Sequence, residues 1–288
     1  MNISKRLLSQ LAFFIAQNPL LKNFFTGTIY QGNAKRVCTP GLNCYSCPAA
    51  ITSCPMGAMQ LFLAGAKHNV GLFVVGFLLT IGVIFGRFIC GYLCPMGLLQ
   101  DLIYKIPTLK LKLKLRFLRY GKYVVLALFV IVLPLLVLNE FSGLGAPWFC
   151  KYICPVGTIF AATPILVFNE GLRSIAGGLF IWKAALAAAI IIVSVIVYRF
   201  FCRVICPLGA VYALFNKIAL VKMKCDNSRC NSCGVCARTC NICLTPSIQP
   251  NSPECVRCGD CVKKCHNGAL EYDFFVSMKK DEKFEKNS

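Results

Sequence analysis

The sequence predicts an all-α polytopic membrane protein with about four transmembrane helices, followed by a small α+β domain at the C-terminal end. Of its 288 residues, 57% are hydrophobic and only 15% are charged, which is too apolar for an ordinary soluble domain. Long apolar runs recur at lengths near the ~20 residues that a helix needs to cross hydrocarbon. From about Lys224 this apolar character falls away, and Cys, Asn, Gly and Pro dominate. A membrane domain therefore precedes a small soluble one.

Four apolar runs are predicted to span the membrane. Three are each near the ~20 residues needed to cross hydrocarbon, at about Val70–Phe88, Arg119–Phe141 and Leu179–Phe201. The fourth, Arg6–Phe25, begins with basic residues like a signal sequence but has no clear small-residue cleavage site. It is predicted as a first, uncleaved helix, although Asn18-Pro19 interrupts it.

Short helices and domain boundaries complete the predicted architecture. The segments after each Cys-Pro pair, such as "MGLLQDLIYKI" and "LGAVYALFNKI", have apolar residues at helical spacing and are predicted as interfacial or re-entrant helices. The predicted domains are a transmembrane domain at 1–223 with two cluster sites, a small domain at 224–273 and a disordered charged tail at 274–288.

The distribution of Lys and Arg predicts the orientation. Lys105–Lys122 carries seven cations and no acidic residue, whereas Asn139–Ser174 carries only Lys151 and Arg173 against two glutamates. The basic loop is therefore predicted to be cytoplasmic, which places both termini in the cytoplasm of a multi-pass cell-membrane protein. Lipid contact also explains the net charge of +20, since no nucleic-acid recognition module accompanies it.

The cysteines indicate metal binding rather than a disulfide scaffold. The 20 cysteines fall in tight C-x₂-C and C-x₃-C clusters. Two C-terminal sets have the C-x₂-C-x₂-C-x₃-C spacing of bacterial two-cluster ferredoxins. In that motif three cysteines bind one [4Fe–4S] cluster and the fourth reaches the other. Structural zinc sites are the alternative, but they rarely need this regular spacing. The predicted ligand sets are Cys230, Cys233, Cys236 and Cys265 for one cluster, and Cys255, Cys258, Cys261 and Cys240 for its neighbour.

Two features of the C-terminal motif leave its ligands open to question. Neither fourth cysteine precedes a proline, and Cys243, in "CNICLTP", could replace Cys240. Cys225 forms part of a plant-type spacing with the two cysteines that follow it. We interpret that spacing as coincidence, because neither cluster needs Cys225.

A second cysteine motif repeats beside the apolar runs. The pattern C-x₃-C-P-x-G occurs as "CGYLCPMG" at Cys90, "CKYICPVG" at Cys150 and "CRVICPLG" at Cys202, and "SCPMG" at Ser53–Gly57 matches its second half. Upstream of that half-motif, "CTPGLNCYSC" supplies further thiols. Buried free cysteine is the alternative interpretation, but three repeats make it improbable. Each pair can supply half of a four-thiolate site.

Counting membrane crossings predicts how the pairs combine into two membrane clusters. One site is predicted on the cytoplasmic side and the other on the outside, with the Cys-Pro loops dipping into the ~30 Å hydrocarbon layer. The cytoplasmic-side ligands are Cys90, Cys94, Cys202 and Cys206. The outer ligands are Cys150, Cys154, Cys54 and either Cys44 or Cys47.

These motifs resemble a known family. The stretch "PGLNCYSCPAAITSCPMGAMQ", the repeated C-x₃-C-P and the terminal ferredoxin motif are similar to those of polyferredoxin-like membrane proteins typified by the NapH-type quinol dehydrogenase subunit, related to the membrane halves of NosR-type and CcoG-type proteins. The resemblance implies a redox subunit of an oxidoreductase complex, often anaerobic, that passes electrons between a quinol or cytoplasmic donor and a partner across the membrane.

The implied cofactors are four [4Fe–4S] clusters, and a quinone is a further candidate because Trp148 beside Cys150 could border its pocket. The implied partners are an extracytoplasmic flavoprotein or reductase and a cytoplasmic electron donor. The alternative function is a membrane metal-handling protein that binds, reduces or delivers copper, because soft thiolates also select Cu(I). With only two histidines in the sequence, a bis-His haem stack is excluded.

Overall fold

The computed structural model describes residues 5–65, 68–113, 117–137, 145–174 and 176–274. The predicted tail, 274–288, lies outside this part except for its first residue, as does the end of the predicted span Arg119–Phe141. The described chain is mostly helical with one small antiparallel sheet. The helices of the N-terminal third are α1 (Lys5–Gln17), α2 (Asn23–Thr26), α3 (Pro55–Leu63), α4 (His68–Phe85), α5 (Phe88–Tyr92) and α6 (Pro95–Ile103).

The remaining helices continue this pattern of long apolar and short Cys-associated elements. A π-helical segment, Leu126–Val132, lies within the seventh helix, and a π-helical turn, Phe149–Ile153, precedes the eighth. The helices are α7 (Leu118–Leu136), α8 (Pro155–Phe168), α9 (Glu170–Arg173), α10 (Gly178–Ile196), α11 (Phe200–Val204), α12 (Pro207–Phe215), α13 (Val235–Thr239) and α14 (Asp260–Lys263).

Two of the described helices, α7 and α10, are long and apolar enough to cross a membrane, judged by length and composition. The apolar stretch Leu72–Phe85 of α4 and helix α8 are shorter. The expected first span, Arg6–Phe25, is not one helix: α1 ends at Gln17, because Pro19 has no N–H and disfavours helical geometry in the residue before it. The structure therefore supplies two candidate spans where the sequence predicted about four.

The C-terminal domain is built on a two-stranded sheet. Strands β1 (Val221–Cys225) and β2 (Leu270–Phe274) pair antiparallel, with Val221 opposite Phe274 and Cys225 opposite Leu270. Strand β1 begins three residues before the predicted domain boundary at 224. Both cysteine motifs lie between the two strands, so the sheet closes the domain around them.

This domain is docked on the helical part through buried polar contacts. The guanidinium of Arg257, 1% exposed, donates to the carbonyl oxygens of Phe85 at 3.0 Å and Asn216 at 2.7 Å. The Asn216 side chain in turn donates to the carbonyl oxygens of Ser252 and Cys255. The loop that carries the second cysteine motif is therefore held against the ends of α4 and α12.

Candidate functional site

The Cys-Pro-x-Gly sequence has a uniform local structure. In each repeat the cysteine before proline is extended and the proline begins a helix, as at Cys94-Pro95 and Cys206-Pro207. Proline favours this first helical position and forces the preceding residue out of helical geometry. A Cβ at Gly97 would lie 2.8 Å from the carbonyl oxygen of Cys90. Glycine therefore lets the first cysteine of a pair fold back over the helix that follows the second.

Four buried thiols come together where the two most similar repeats meet. Each of the four interacts electrostatically with the other three, so the segments "RFICGYLCPMGLL" and "RFFCRVICPLGAV" converge although 112 positions separate them in the chain. All four are less than 10% exposed. We call this group the Cys90 set: Cys90, Cys94, Cys202 and Cys206.

Two arginines tie the halves of the Cys90 set together. Arg87 donates to the carbonyl oxygen of Cys202 at 3.1 Å, and Arg199 donates to that of Cys90 at 2.6 Å. Each arginine precedes the first cysteine of its own repeat by three residues and reaches the other repeat. Both are fully buried, and Asp101 and Glu254 balance their charges. These arginines were not among the predicted site residues, although the "RF" shared by the two repeats was a visible signal.

A second group of four thiols lines a cavity of about 480 Å³. Every pair among the four interacts electrostatically. Cys47 does not line this cavity, and its thiol donates to the carbonyl oxygen of Phe160 at 3.3 Å. Of the two candidates left open by the sequence, Cys44 thus lies in the group and Cys47 outside it. We call this group the Cys150 set: Cys44, Cys54, Cys150 and Cys154.

Lys183 occupies the place in the Cys150 set that the arginines take in the Cys90 set. Its ammonium group donates to the carbonyl oxygen of Cys150 at 3.1 Å and lines the same cavity. Lys183 lies in the second turn of α10, whereas Arg199 follows the end of that helix. The two sets are therefore associated with opposite ends of α10.

In the C-terminal domain, one cavity of about 140 Å³ is lined by three cysteines of the first motif and the last cysteine of the second, as the ferredoxin spacing predicts. Cys225 borders the same cavity and interacts with three of its thiols, so the chain places a fifth thiol there. We call the four predicted members the Cys230 set: Cys230, Cys233, Cys236 and Cys265.

The other predicted set, three cysteines of the second motif with the last cysteine of the first, lines a separate space of about 20 Å³. The four cysteine side chains must therefore move apart for a cluster to bind. Cys240 borders this space and Cys243 does not. Burial raises the pKa of the Cys261 thiol to about 12, so this thiol is protonated at neutral pH and must lose its proton to act as a metal ligand. We call this group the Cys255 set: Cys240, Cys255, Cys258 and Cys261.

The thiol sets can be compared with the needs of a single metal ion and of a cluster. Within the described residues, no group of three His, Cys, Asp or Glu side chains is arranged to hold one metal ion. A [4Fe–4S] cluster holds its four thiolates apart at the corners of a cube, whereas one Zn²⁺ or Cu⁺ ion draws them to a common centre. The Cys150 and Cys230 sets, which line cavities of about 480 and 140 Å³, are therefore compatible with cluster binding.

Three of the sets follow one another through direct contacts. A Cβ at Gly91 would lie 2.5 Å from the carbonyl oxygen of Val256, so the loop of the Cys255 set touches the Cys90 set. A Cβ at Gly41 would lie 3.2 Å from the Cα atom of Cys94, so the loop leading to Cys44 reaches the same set from the other side. The structure thus orders the Cys255, Cys90 and Cys150 sets along the molecule.

One buried tyrosine lies between the Cys90 and Cys150 sets. The Tyr212 ring interacts electrostatically with Cys54 of one set and Cys94 of the other. Its hydroxyl donates to the carbonyl oxygen of Pro40 at 2.9 Å, and the side chain is fully buried. The buried Tyr212 side chain therefore lies near thiols of both sets.

Comparison with known proteins gives relatives of several kinds. The chain is 26% identical over 237 residues to an uncharacterized protein of Methanocaldococcus jannaschii, covering 79% of this chain and 80% of that protein. It is 26% identical over 214 residues to the methylamine utilization ferredoxin-type protein MauN of Methylorubrum extorquens, covering 72% of this chain and 67% of MauN. It is 29% identical over 188 residues to the regulatory protein NosR of Stutzerimonas stutzeri, covering 62% of this chain but only 23% of NosR.

No solved structure matches the chain. A family model described as a 4Fe-4S binding domain matches residues 68–116, 123–171 and 180–225, which together make up half of the chain. Each matched segment contains one of the three complete C-x₃-C-P-x-G repeats. By this match, the chain belongs to the 4Fe-4S binding domain family of ferredoxin-type electron-transport proteins.

Proposed function

We propose that the protein is a membrane electron-transfer subunit that holds four [4Fe–4S] clusters in a line, one in each thiol set. Each bound cluster would supply one-electron redox chemistry. The observation that carries the proposal is the succession of contacts from the Cys255 set through the Cys90 set to the Cys150 set. A protein with isolated structural metal sites would have no need for this succession.

The residues around the sets are suited to holding buried redox centres. A four-thiolate cluster carries net negative charge, which is costly to bury without compensation. Arg87 and Arg199 at the Cys90 set and Lys183 at the Cys150 set provide positive charge beside the thiols. Their hydrogen bonds go to carbonyl oxygens of the cysteines, so the charges are fixed while the sulfur atoms stay free to bind iron.

The proposed path crosses the membrane. The helices α7 and α10 have the length and composition of membrane spans, and the Cys90 and Cys150 sets are associated with opposite ends of α10. Together with the basic segment Lys105–Lys122, this favours a cytoplasmic C-terminal domain and an outward-facing Cys150 set. The donor would then be a cytoplasmic redox protein or quinol, and the partner on the outer face a flavoprotein or reductase.

The relatives support a role in a larger redox system. One is named as a ferredoxin-type protein of methylamine utilization and another as a regulatory protein, so this type of chain occurs in different systems. The resemblance to NapH-type quinol dehydrogenase subunits makes a quinol one candidate donor.

Metal analysis tests the proposal. After anaerobic purification we expect about sixteen iron atoms per chain and a matching amount of acid-labile sulfide, four for each cluster. The reduced protein should give EPR signals of [4Fe–4S] clusters. Copper with little iron would instead support the metal-handling function and overturn the proposal.

A further inference from the structure

Two buried glutamines occupy equivalent places in the thiol sets. The sequences "CPMGAMQ" and "CPMGLLQ" put Gln60 and Gln100 six residues after a cysteine, on α3 and α6. Their side chains are 0% and 1% exposed. In the other two half-motifs this position holds Phe160 and Tyr212. Each membrane thiol set therefore combines one glutamine half with one aromatic half.

Both glutamine amides cross to the opposite half and donate to a thiol. The Nε2 atom of Gln100 lies 3.0 Å from the Sγ atom of Cys202, and the Nε2 atom of Gln60 lies 3.2 Å from the Sγ atom of Cys150. In both cases the receiving thiol is the first cysteine of the partner C-x₃-C pair. The same amide-to-thiol contact thus occurs in both sets, although different parts of the chain form it.

A backbone N–H group fixes which way each amide points. The Oε1 atom of Gln100 accepts from the N–H of Phe201 at 3.1 Å, and that of Gln60 accepts from the N–H of Phe149 at 2.9 Å. Because the oxygen is held by this donor, the NH₂ group must face the sulfur. The residue before each receiving cysteine therefore orients the amide that its thiol meets.

We propose that Gln60 and Gln100 are positioning residues that set the reduction potentials at the Cys150 and Cys90 sets. The inference rests on the proposed iron–sulfur function. Reduction adds negative charge that spreads onto the thiolate sulfurs, and an N–H dipole directed at a sulfur stabilises that charge. The stabilisation is large in a buried site, where the dielectric constant is low. Each glutamine should therefore raise the potential at its own set.

Anaerobic redox titration of the full-length protein, followed by EPR, tests this. Cys206→Ser and Cys54→Ser first identify the signals of the Cys90 and Cys150 sets by removing them. Gln100→Met, which keeps the side-chain length but has no N–H, should shift only the Cys90-set signal to lower potential. Gln60→Met should shift only the Cys150-set signal, so each variant is the control for the other. Unchanged potentials, or equal shifts of both signals in each variant, would overturn the proposal.

A second measurement applies if either variant fails to assemble its cluster. Wild-type protein labelled with ¹⁵N in the glutamine side-chain amide should show, in pulsed EPR of the reduced protein, a ¹⁵N coupling to both membrane-set signals. Signals without this coupling would overturn the role of the glutamines while leaving the iron–sulfur function intact. Wild-type protein without iron or signals would instead overturn the proposed function itself.

Discussion

At the scale of single residues, the choice between neighbouring cysteines is the sharpest consequence of the structure. Cys44 borders the cavity of the Cys150 set, whereas the Cys47 thiol donates to a backbone carbonyl. We predict that Cys44→Ser loses about a quarter of the iron and one EPR signal, because the Cys150 set then lacks one of its four thiolates. The matched control, Cys47→Ser, should keep all of the iron. Iron loss in the Cys47 variant with none in the Cys44 variant would contradict this assignment.

Spacing along the chain predicts which cysteines belong to a motif but not which thiol turns inward. Cys44 and Cys47 lie three positions apart in an irregular loop, where no helical or strand periodicity assigns a direction to either side chain. The roles of Arg87 and Arg199 could not be predicted for a different reason, because each donates to a carbonyl oxygen of the other repeat. Their partners become visible only once the two repeats meet in space.

At the scale of elements, the short helices after each Cys-Pro were predictable because proline marks their first residue. Helices α3, α6 and α12 begin at Pro55, Pro95 and Pro207, in agreement with that reasoning. The prediction failed for Arg6–Phe25, where apolar composition suggested one long helix. There Pro19 ends α1 after 13 residues, and the buried Gln10 donates to the carbonyl oxygen of Gly91. A local backbone rule thus prevailed over hydropathy.

The glycine of the repeat provides a test at this scale. Gly97→Ala places a methyl group 2.8 Å from the carbonyl oxygen of Cys90, so α6 or the Cys90 loop must move. We expect thermal destabilisation of about 1–3 kcal/mol and loss of the Cys90-set signal. Gly76→Ala is the matched control in helix α4, because its added methyl group meets nothing within 4 Å. Equal stability of the two variants, measured by thermal unfolding, would argue against close packing at Gly97.

At the scale of the whole molecule, buried charge pairing joins the C-terminal domain to the helices. Glu254 accepts from Lys122 at 2.7 Å and from Arg87 at 3.4 Å, and both cations are fully buried. Glu254→Gln leaves two buried cations without a counter-charge, and we predict a loss of about 3–5 kcal/mol in the free energy of unfolding.

The exposed pair between Asp226 and Arg229 supplies the control for Glu254→Gln. Asp226→Asn should leave the free energy of unfolding nearly unchanged, because solvent screens an exposed ion pair. Thermal unfolding of both variants makes the comparison. A Glu254 variant as stable as the Asp226 variant would show that this contact does not hold the two parts together.

Motif spacing alone predicted two groups of four cysteines in the C-terminal domain, and each group lines one cavity, with Cys225 as a fifth thiol in the first. It could not indicate that the Cys255 set, rather than the Cys230 set, contacts the Cys90 set of the helical part. That order depends on the insertion of Arg257 between Phe85 and Asn216, a contact between residues more than 40 positions apart. Docking of this kind depends on the shapes of two assembled surfaces, which local patterns do not encode.

Transmembrane electron transfer tests the central claim most directly. Proteoliposomes would contain the full-length protein and a trapped, membrane-impermeant electron acceptor, with a membrane-impermeant reductant added outside under anaerobic conditions. We expect the wild type to reduce the acceptor, and Cys206→Ser to slow this at least tenfold while keeping the EPR signals of the Cys230 and Cys255 sets. A Cys206→Ser variant that transfers electrons at the wild-type rate, or a fully iron-loaded wild type that transfers none, would contradict the account.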